Sequence, residues 1–184
     1  MKKKRINLGS MQKYNSACTS INAGHKVPVA SRIAGMLGEP GDWVLDYGGG
    51  RYDSATEYLA TVGMTNVIYD PYNRGEEENL RALSKTDYQL ATLSNVLNVI
   101  MEKRIHHYIL QDIKDHLCTE GTLIVKIYEG DRSGKIKVDE KRNSCQLNLK
   151  TEQYLPEVEK VFGGDNVKQC RMRGTSVILA KKKD

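Results

Sequence analysis

The sequence predicts an α/β fold, a mostly parallel sheet with helices on both faces and an antiparallel hairpin strand at the C-terminal end. Three observations predict it. Short apolar runs alternate with stretches of helical periodicity along most of the chain. One such run, residues 43–47, enters Gly48, Gly49 and Gly50 and is followed by a helical pattern. The chain closes with two strand-like runs around Arg173-Gly174, a turn dipeptide.

In order, the first two dozen residues are polar and carry no period. A helix is expected over 27–37, with Val29, Ile33, Ala34 and Leu37 on one side, ended by Gly38 and the Pro40-Gly41 turn. Residues 43–47 read as a strand. Residues 54–62 read as a helix, because Ala55, Tyr58, Leu59 and Val62 recur at helical spacing. A strand over 66–70, a charged helix over 76–85 and a strand over 89–94 follow. Ile105, Ile109, Ile113 and Leu117 form one stripe of a helix over 102–117. Glu120-Gly121 turns into an apolar strand over 122–128. Residues 129–148 break the rhythm and are expected as a long basic loop. The last helix spans 151–162, with Pro156 suited to its first turn. The hairpin strands are 167–172 and 175–180.

The length of 184 residues fits one core. No run approaches the roughly 20 apolar residues of a membrane span, so no membrane partner is expected. Met1-Lys2-Lys3-Lys4-Arg5 is not followed by an apolar run, which argues against a secretory signal and for a cytoplasmic location. The net charge of +5 sits in Lys2, Lys3, Lys4, Arg5 and the C-terminal lysines 181–183; the rest is near neutral. Such tails attract polyanions or act as frayed, solubilising ends. Cys18, Cys118, Cys145 and Cys170 form no C-x-x-C pair and read as free thiols. His106, His107 and His116 lack partners at ligand spacing, so no metal is expected.

The glycine turn lies where an open parallel sheet binds ligands, beyond the carboxyl ends of its strands. Gly48 and Gly50 match the start of a dinucleotide fingerprint, but its third glycine is replaced by Asp53. With Asp46 this places two carboxylates where a pyrophosphate would lie, which disfavours NAD. The same charges suit S-adenosylmethionine, which carries a sulfonium and an ammonium. Asp70 ends the second strand about 20 residues on, where a carboxylate takes ribose hydroxyls; an Asx turn before Pro71 is the alternative.

VLDYGGG resembles motif I of the class I S-adenosylmethionine-dependent methyltransferases, VIYDPYNR their second motif, and ATLSNVLNVI (residues 91–100) their fourth. The set is similar to small methyltransferase-like proteins of phages and of DNA-modification or defence loci. The resemblance implies a Rossmann-like class I sheet without the usual third strand. It also implies a single methyltransferase domain over 27–184, preceded by an N-terminal tail and substrate-side segment over 1–26. The cofactor contacts it implies are Asp46, Tyr47, Gly48, Gly49, Gly50, Asp70, Pro71, Asn95 and Val96. With no acidic third-strand residue, adenine is expected near the backbone of Asp87 or Ser94.

Methyl transfer needs proximity and orientation more than acid–base chemistry. Base-amino methyltransferases carry an [DNS]-P-P-[YF] tetrapeptide where this chain has Ser94-Asn95-Val96-Leu97. The Lys-Asp-Lys-Glu set of ribose methyltransferases is also incomplete here. Asn95 and Asn98 are the candidate catalytic residues, since an amide both donates and accepts. His25, Lys26, Arg132 and Lys135 are the candidate substrate contacts. The expected function is methyl transfer to nucleic acid. The alternatives are a small-molecule or protein methyltransferase, and a non-catalytic S-adenosylmethionine-binding protein.

Overall fold

A computed structural model of the chain describes residues 11–19 and 26–183. Helix α1 (Val29–Leu37) leads into β1 (Trp43–Tyr47), then α2 (Ser54–Thr61), β2 (Thr65–Tyr69), α3 (Glu76–Ala82) and β3 (Tyr88–Ser94). A 3₁₀ turn (Leu97–Val99) precedes α4 (Lys103–His116) and β4 (Leu117–Lys126). The hairpin β5 (Ile136–Asp139) and β6 (Ser144–Leu147) comes next, then α5 (Leu155–Phe162), β7 (Val167–Met172) and β8 (Thr175–Lys181).

Six strands form one sheet in the order β2-β1-β3-β4-β8-β7. β1 pairs in parallel with β2 and β3, and β3 with β4; β8 runs antiparallel to both β4 and β7. The expected architecture is thus observed. Among the described residues no strand lies beyond β2, so the usual third strand is missing.

Alternation along the strands divides the core in two. In β8, Ile178 and Ala180 face one cluster and Val177 and Leu179 the other; β4 divides Leu123 and Val125 from Ile124 in the same way. Helices α4 and α5 cover the larger cluster, and α1 and α2 the smaller. The stripe Ile105, Ile109, Ile113 and Leu117 is fully buried, each side chain contributing about 2 kcal/mol of transfer free energy. At the β7–β8 turn, Arg173 (φ 49°) and Gly174 (φ 76°) are both left-handed, the geometry that matches the twist of a two-residue hairpin.

Three expectations are corrected. Residues 129–148 are not a plain loop: Ile136-Lys137-Val138-Asp139 alternates with period two and pairs with Ser144–Leu147. The signal is weak because β5 is exposed along its whole length. β4 starts at Leu117, and Glu120-Gly121 forms an irregularity within it, where the register with β3 jumps from Tyr88↔Leu117 to Leu90↔Thr122. The C-terminal lysines are not a frayed end. Lys181 and Lys183 pair with Glu120, and Lys182 Nζ donates to the Leu117 carbonyl at 2.6 Å.

Candidate cofactor and substrate site

A cavity of about 540 Å³ opens beyond the carboxyl ends of β1, β2 and β3, within the size range of cofactor sites. Its floor is the glycine turn. Gly48 has φ 78°, and a Cβ there would meet Val96 Cγ2 at 2.4 Å, so the residue after β1 is restricted to glycine by backbone and by space. Its N–H donates to the Tyr69 carbonyl at 2.6 Å, locking the turn to β2. A Cβ on Gly49 would meet Asp46 Oδ2 at 2.5 Å.

Asp46 lies under this turn, 3% exposed, and its Oδ1 accepts a hydrogen bond from Thr92 Oγ1 at 2.7 Å. Burial pushes its carboxyl up to about 6; the Thr92 bond opposes the shift, nearby Asp70 adds to it and Arg74 counters it. An ionised Asp46 is therefore poorly compensated by the protein alone.

Asp70 is also buried and serves both of the roles its sequence allows. Oδ1 accepts from the backbone N–H of Tyr72 (2.9 Å) and Asn73 (3.0 Å) and from Asn73 Nδ2 (3.1 Å), an Asx turn over Pro71. Among the described residues Oδ2 accepts only the Gly50 N–H, at 2.9 Å, and the residue lines the cavity. A carboxylate oxygen has room for a second donor. Arg74, overlooked in the sequence reading, ties the two loops together. Its Nε donates to the Gly50 carbonyl at 2.8 Å, and its guanidinium meets Asp53 at 2.8 Å and Glu78 at 3.3 Å.

Of the expected cofactor contacts, Tyr47, Gly48, Asp70, Pro71, Asn95 and Val96 line the cavity. Asp46, Gly49 and Gly50 stand behind it, in the turn. The Tyr47 hydroxyl donates to Asp112 Oδ2 at 3.0 Å, which fixes β1 to α4. Ser94 lines the cavity. Asp87 does not: it precedes β3, at the opposite end of the strand, where it pairs with Lys85. The expectation that adenine meets it is withdrawn.

Asn98 lines the cavity and is 1% exposed; Asn95 also lines it, is exposed, and has φ 57°. The basic candidates fare differently. His25 lies outside the described residues. Lys26 is exposed and absent from the lining, its carbonyl accepting from Ser54 Oγ at 3.1 Å. Arg132 pairs with Glu129 at 2.7 Å, and Arg132 and Lys135 lie away from the lining. The basic residues of the hairpin that line the cavity are instead Lys137, which pairs with Asp131 at 2.7 Å, and Arg142.

Another wall comes from residues 11–19, within the segment 1–26 expected on the substrate side. Ser16 Oγ donates to the Val99 carbonyl at 2.8 Å and accepts from the Cys145 N–H at 3.3 Å. The Tyr14 hydroxyl donates to Glu140 Oε1 at 2.6 Å, and the Tyr72 hydroxyl to Gln12 Oε1 at 2.6 Å. This strap therefore joins the β5–β6 hairpin to the loops after β2 and β3.

His106 and His116 are explained structurally. His106 Nδ1 meets Glu157 Oε2 at 2.6 Å and Nε2 meets the Ile100 carbonyl at 2.9 Å, tying α4 to α5 and to the cavity wall. His116 bridges the Asp112 and Leu83 carbonyls.

No protein-family model matches the sequence, and no match was found among curated proteins. Solved structures do match. A 1,6-didemethyltoxoflavin-N1-methyltransferase from Burkholderia thailandensis, solved with 1,6-didemethyltoxoflavin and S-adenosylhomocysteine, aligns with TM-score 0.66 at 18% identity, over 91% of this chain and 81% of that one. A TehB-like SAM-dependent methyltransferase from Corynebacterium glutamicum aligns with TM-score 0.55 at 15% identity, over 92% and 93%. A 16S rRNA methyltransferase from T. thermophilus, in complex with AdoMet and guanosine, aligns with TM-score 0.55 at 18% identity, over 89% of this chain and 45% of that one. The chain thus has the Rossmann-like fold of these class I S-adenosylmethionine-dependent methyltransferases.

Proposed function

We propose that the chain is an S-adenosylmethionine-dependent methyltransferase whose acceptor is nucleic acid. The observation that carries the reading is the glycine-floored cavity with a carboxylate, Asp46, buried under it at a cost. That cost falls when a cationic ligand lies nearby, and a pyrophosphate would raise it. When bound, the cofactor supplies a methyl group already activated on a sulfonium. The protein's part is then to hold and orient. Tyr47, Gly48, Gly49 and Gly50 form the cradle, the open side of Asp70 Oδ2 takes a ribose hydroxyl, and Pro71, Asn95 and Val96 pack against the nucleoside. Asn95 and Asn98 orient the acceptor.

Lys137 and Arg142 on the hairpin take the phosphate-tracking role first expected of Arg132 and Lys135. His25 remains a candidate substrate contact. The motif resemblance to proteins of phages and DNA-modification loci favours the same acceptor class, and the free cysteines fit a cytoplasmic setting.

The test is transfer of label from methyl-tritiated S-adenosylmethionine into bulk DNA and RNA, beside cell-extract protein and small molecules. Label in DNA or RNA supports the proposal. Label only in protein or small molecules refutes the acceptor, and none in any fraction favours a non-catalytic binding protein.

A further inference from the structure

The cavity offers a ligand different chemistry along its length. Under the glycine turn lies the buried Asp46 carboxylate, and at the end of β2 the open side of Asp70 Oδ2. A ligand with its cationic end over the turn and its ribose at Asp70 carries its base onward, past Pro71 to the loop that holds Tyr72. Among the described residues no strand lies beyond β2 to wall off that side. The strap does so instead. The Lys13 N–H donates to Oε1 of Glu102, the residue before α4, at 2.8 Å, and the Tyr72 hydroxyl donates to Gln12 Oε1 at 2.6 Å. Gln12 is thus held between the loop after β2 and the start of α4, and it lines the cavity.

Gln12 is partly exposed, so its amide can be reached from the cavity. Its hydrogen bonding is incomplete in a way that describes a ligand. Oε1 keeps a second lone pair, and among the described residues Nε2 donates to nothing. Turning the amide over changes little. A hydroxyl both donates and accepts, so Tyr72 can hold either atom, and one acceptor and one N–H stay free for the cavity. An acceptor beside a donor on a flat group is the complement of adenine's edge, where an amino group lies beside a ring nitrogen. Ile100 and Ile109, 4% and 2% exposed, line the same cavity and offer apolar surface to a ring.

We propose that Gln12, on the strap, reads the adenine edge of the cofactor, its Oε1 receiving the amino group and its Nε2 donating to the neighbouring ring nitrogen. The inference rests on the methyltransferase reading above and assigns a base-binding residue to that site. Tyr72 is a positioning residue. Its hydroxyl holds the Gln12 amide, and its own N–H donates to Asp70 Oδ1 at 2.9 Å. The carboxylate that takes the ribose therefore also places, through Tyr72, the amide that takes the base. Further along, the strap meets the β5–β6 hairpin, where the Ser16 N–H donates to the Asn143 carbonyl at 3.1 Å. A base held by Gln12 thus steadies a wall that the cofactor shares with the acceptor side.

The other role open to Gln12 is a plain tie between the strap and the loop after β2. A tie alone makes loss of either partner equivalent, whereas base reading needs the amide and only secondarily the hydroxyl.

The experiment is calorimetry on the full chain with two ligands, S-adenosylhomocysteine and its analogue with hydrogen in place of the adenine amino group. Wild type is titrated first; if it binds neither ligand, the methyltransferase reading itself fails, and this inference with it. S-adenosylhomocysteine is expected to bind about tenfold tighter than the analogue, which leaves Gln12 Oε1 without its donor.

Gln12→Leu, checked for folding by its melting curve, should bind S-adenosylhomocysteine about tenfold more weakly and bring the two ligands within about twofold of each other. Gln12→Ala serves the same test if Gln12→Leu does not fold. Tyr72→Phe, which breaks the same strap contact and leaves the amide, should retain most of the preference. Wild type that binds both ligands alike would overturn the assignment and leave the cofactor class intact. A preference that survives loss of the Gln12 amide, or one lost equally in Tyr72→Phe, would overturn it as well.

Discussion

Replacing Asp46 by Asn separates the stability of the protein from its proposed use. Asn keeps an oxygen to accept the Thr92 hydroxyl and removes the buried charge. The carboxyl is raised from 3.8 to about 6, a gap equivalent to about 3 kcal/mol. The sign follows from proton uptake. Between those two values the folded protein binds a proton that the unfolded chain releases, so the carboxylate destabilises the fold fully above pH 6 and progressively less as pH falls to 3.8.

Asp46→Asn should therefore raise the melting temperature of the ligand-free protein at pH 7.5, by roughly 6–12 °C. The gain over wild type should fall to about half at pH 5 and mostly vanish by pH 4. The same variant should bind S-adenosylmethionine about tenfold more weakly, and S-adenosylhomocysteine, which lacks the sulfonium, with a smaller loss. Thermal melts at three pH values and calorimetry read both effects. A variant less stable than wild type at pH 7.5, or a difference independent of pH, would refute the reasoning about Asp46.

Asp70→Ala removes the acceptor of the Gly50, Tyr72 and Asn73 N–H groups. It should lower stability by about 3 kcal/mol in urea unfolding, as well as weaken cofactor binding. His106→Ala breaks the link between Glu157 and the Ile100 carbonyl and should cost about 3 kcal/mol. His106 also holds the Glu157 carboxyl below its usual range, so this pair's contribution is present at neutral pH and lost as pH falls below 4.5; acid titration of the variant should show that loss diminished. Ser16→Ala removes the bonds to Val99 and Cys145. Limited proteolysis should then cut the strap faster while the global melting temperature moves by less than about 2 °C.

The sheet was legible because its signals are local and repeated. Apolar alternation in residues 43–47 and 89–94, the Ile105–Ile109–Ile113 stripe and the Arg173-Gly174 turn each act within one element. The cradle was legible because glycine is demanded there by φ and by Val96. The walls were not. The strap has no period, and its place depends on Ser16 and Tyr14 meeting residues more than 80 positions away. Lys137 was passed over for Lys135 because the hairpin that carries Lys137 to the cavity depends on a pairing with β6 that its polar sequence only faintly encodes. Arg74 and the Asn98–Gln146 hydrogen bond are likewise products of tertiary contact, joining residues 24 and 48 positions apart.

The central claim is that the glycine-floored cavity takes an adenosyl ligand carrying positive charge. Calorimetric titration of the full chain with S-adenosylmethionine, S-adenosylhomocysteine and NAD tests it most directly. Saturable binding of both adenosyl ligands, with none of NAD, is the predicted result. Folded protein that binds neither adenosyl ligand, or that prefers NAD, would contradict the account.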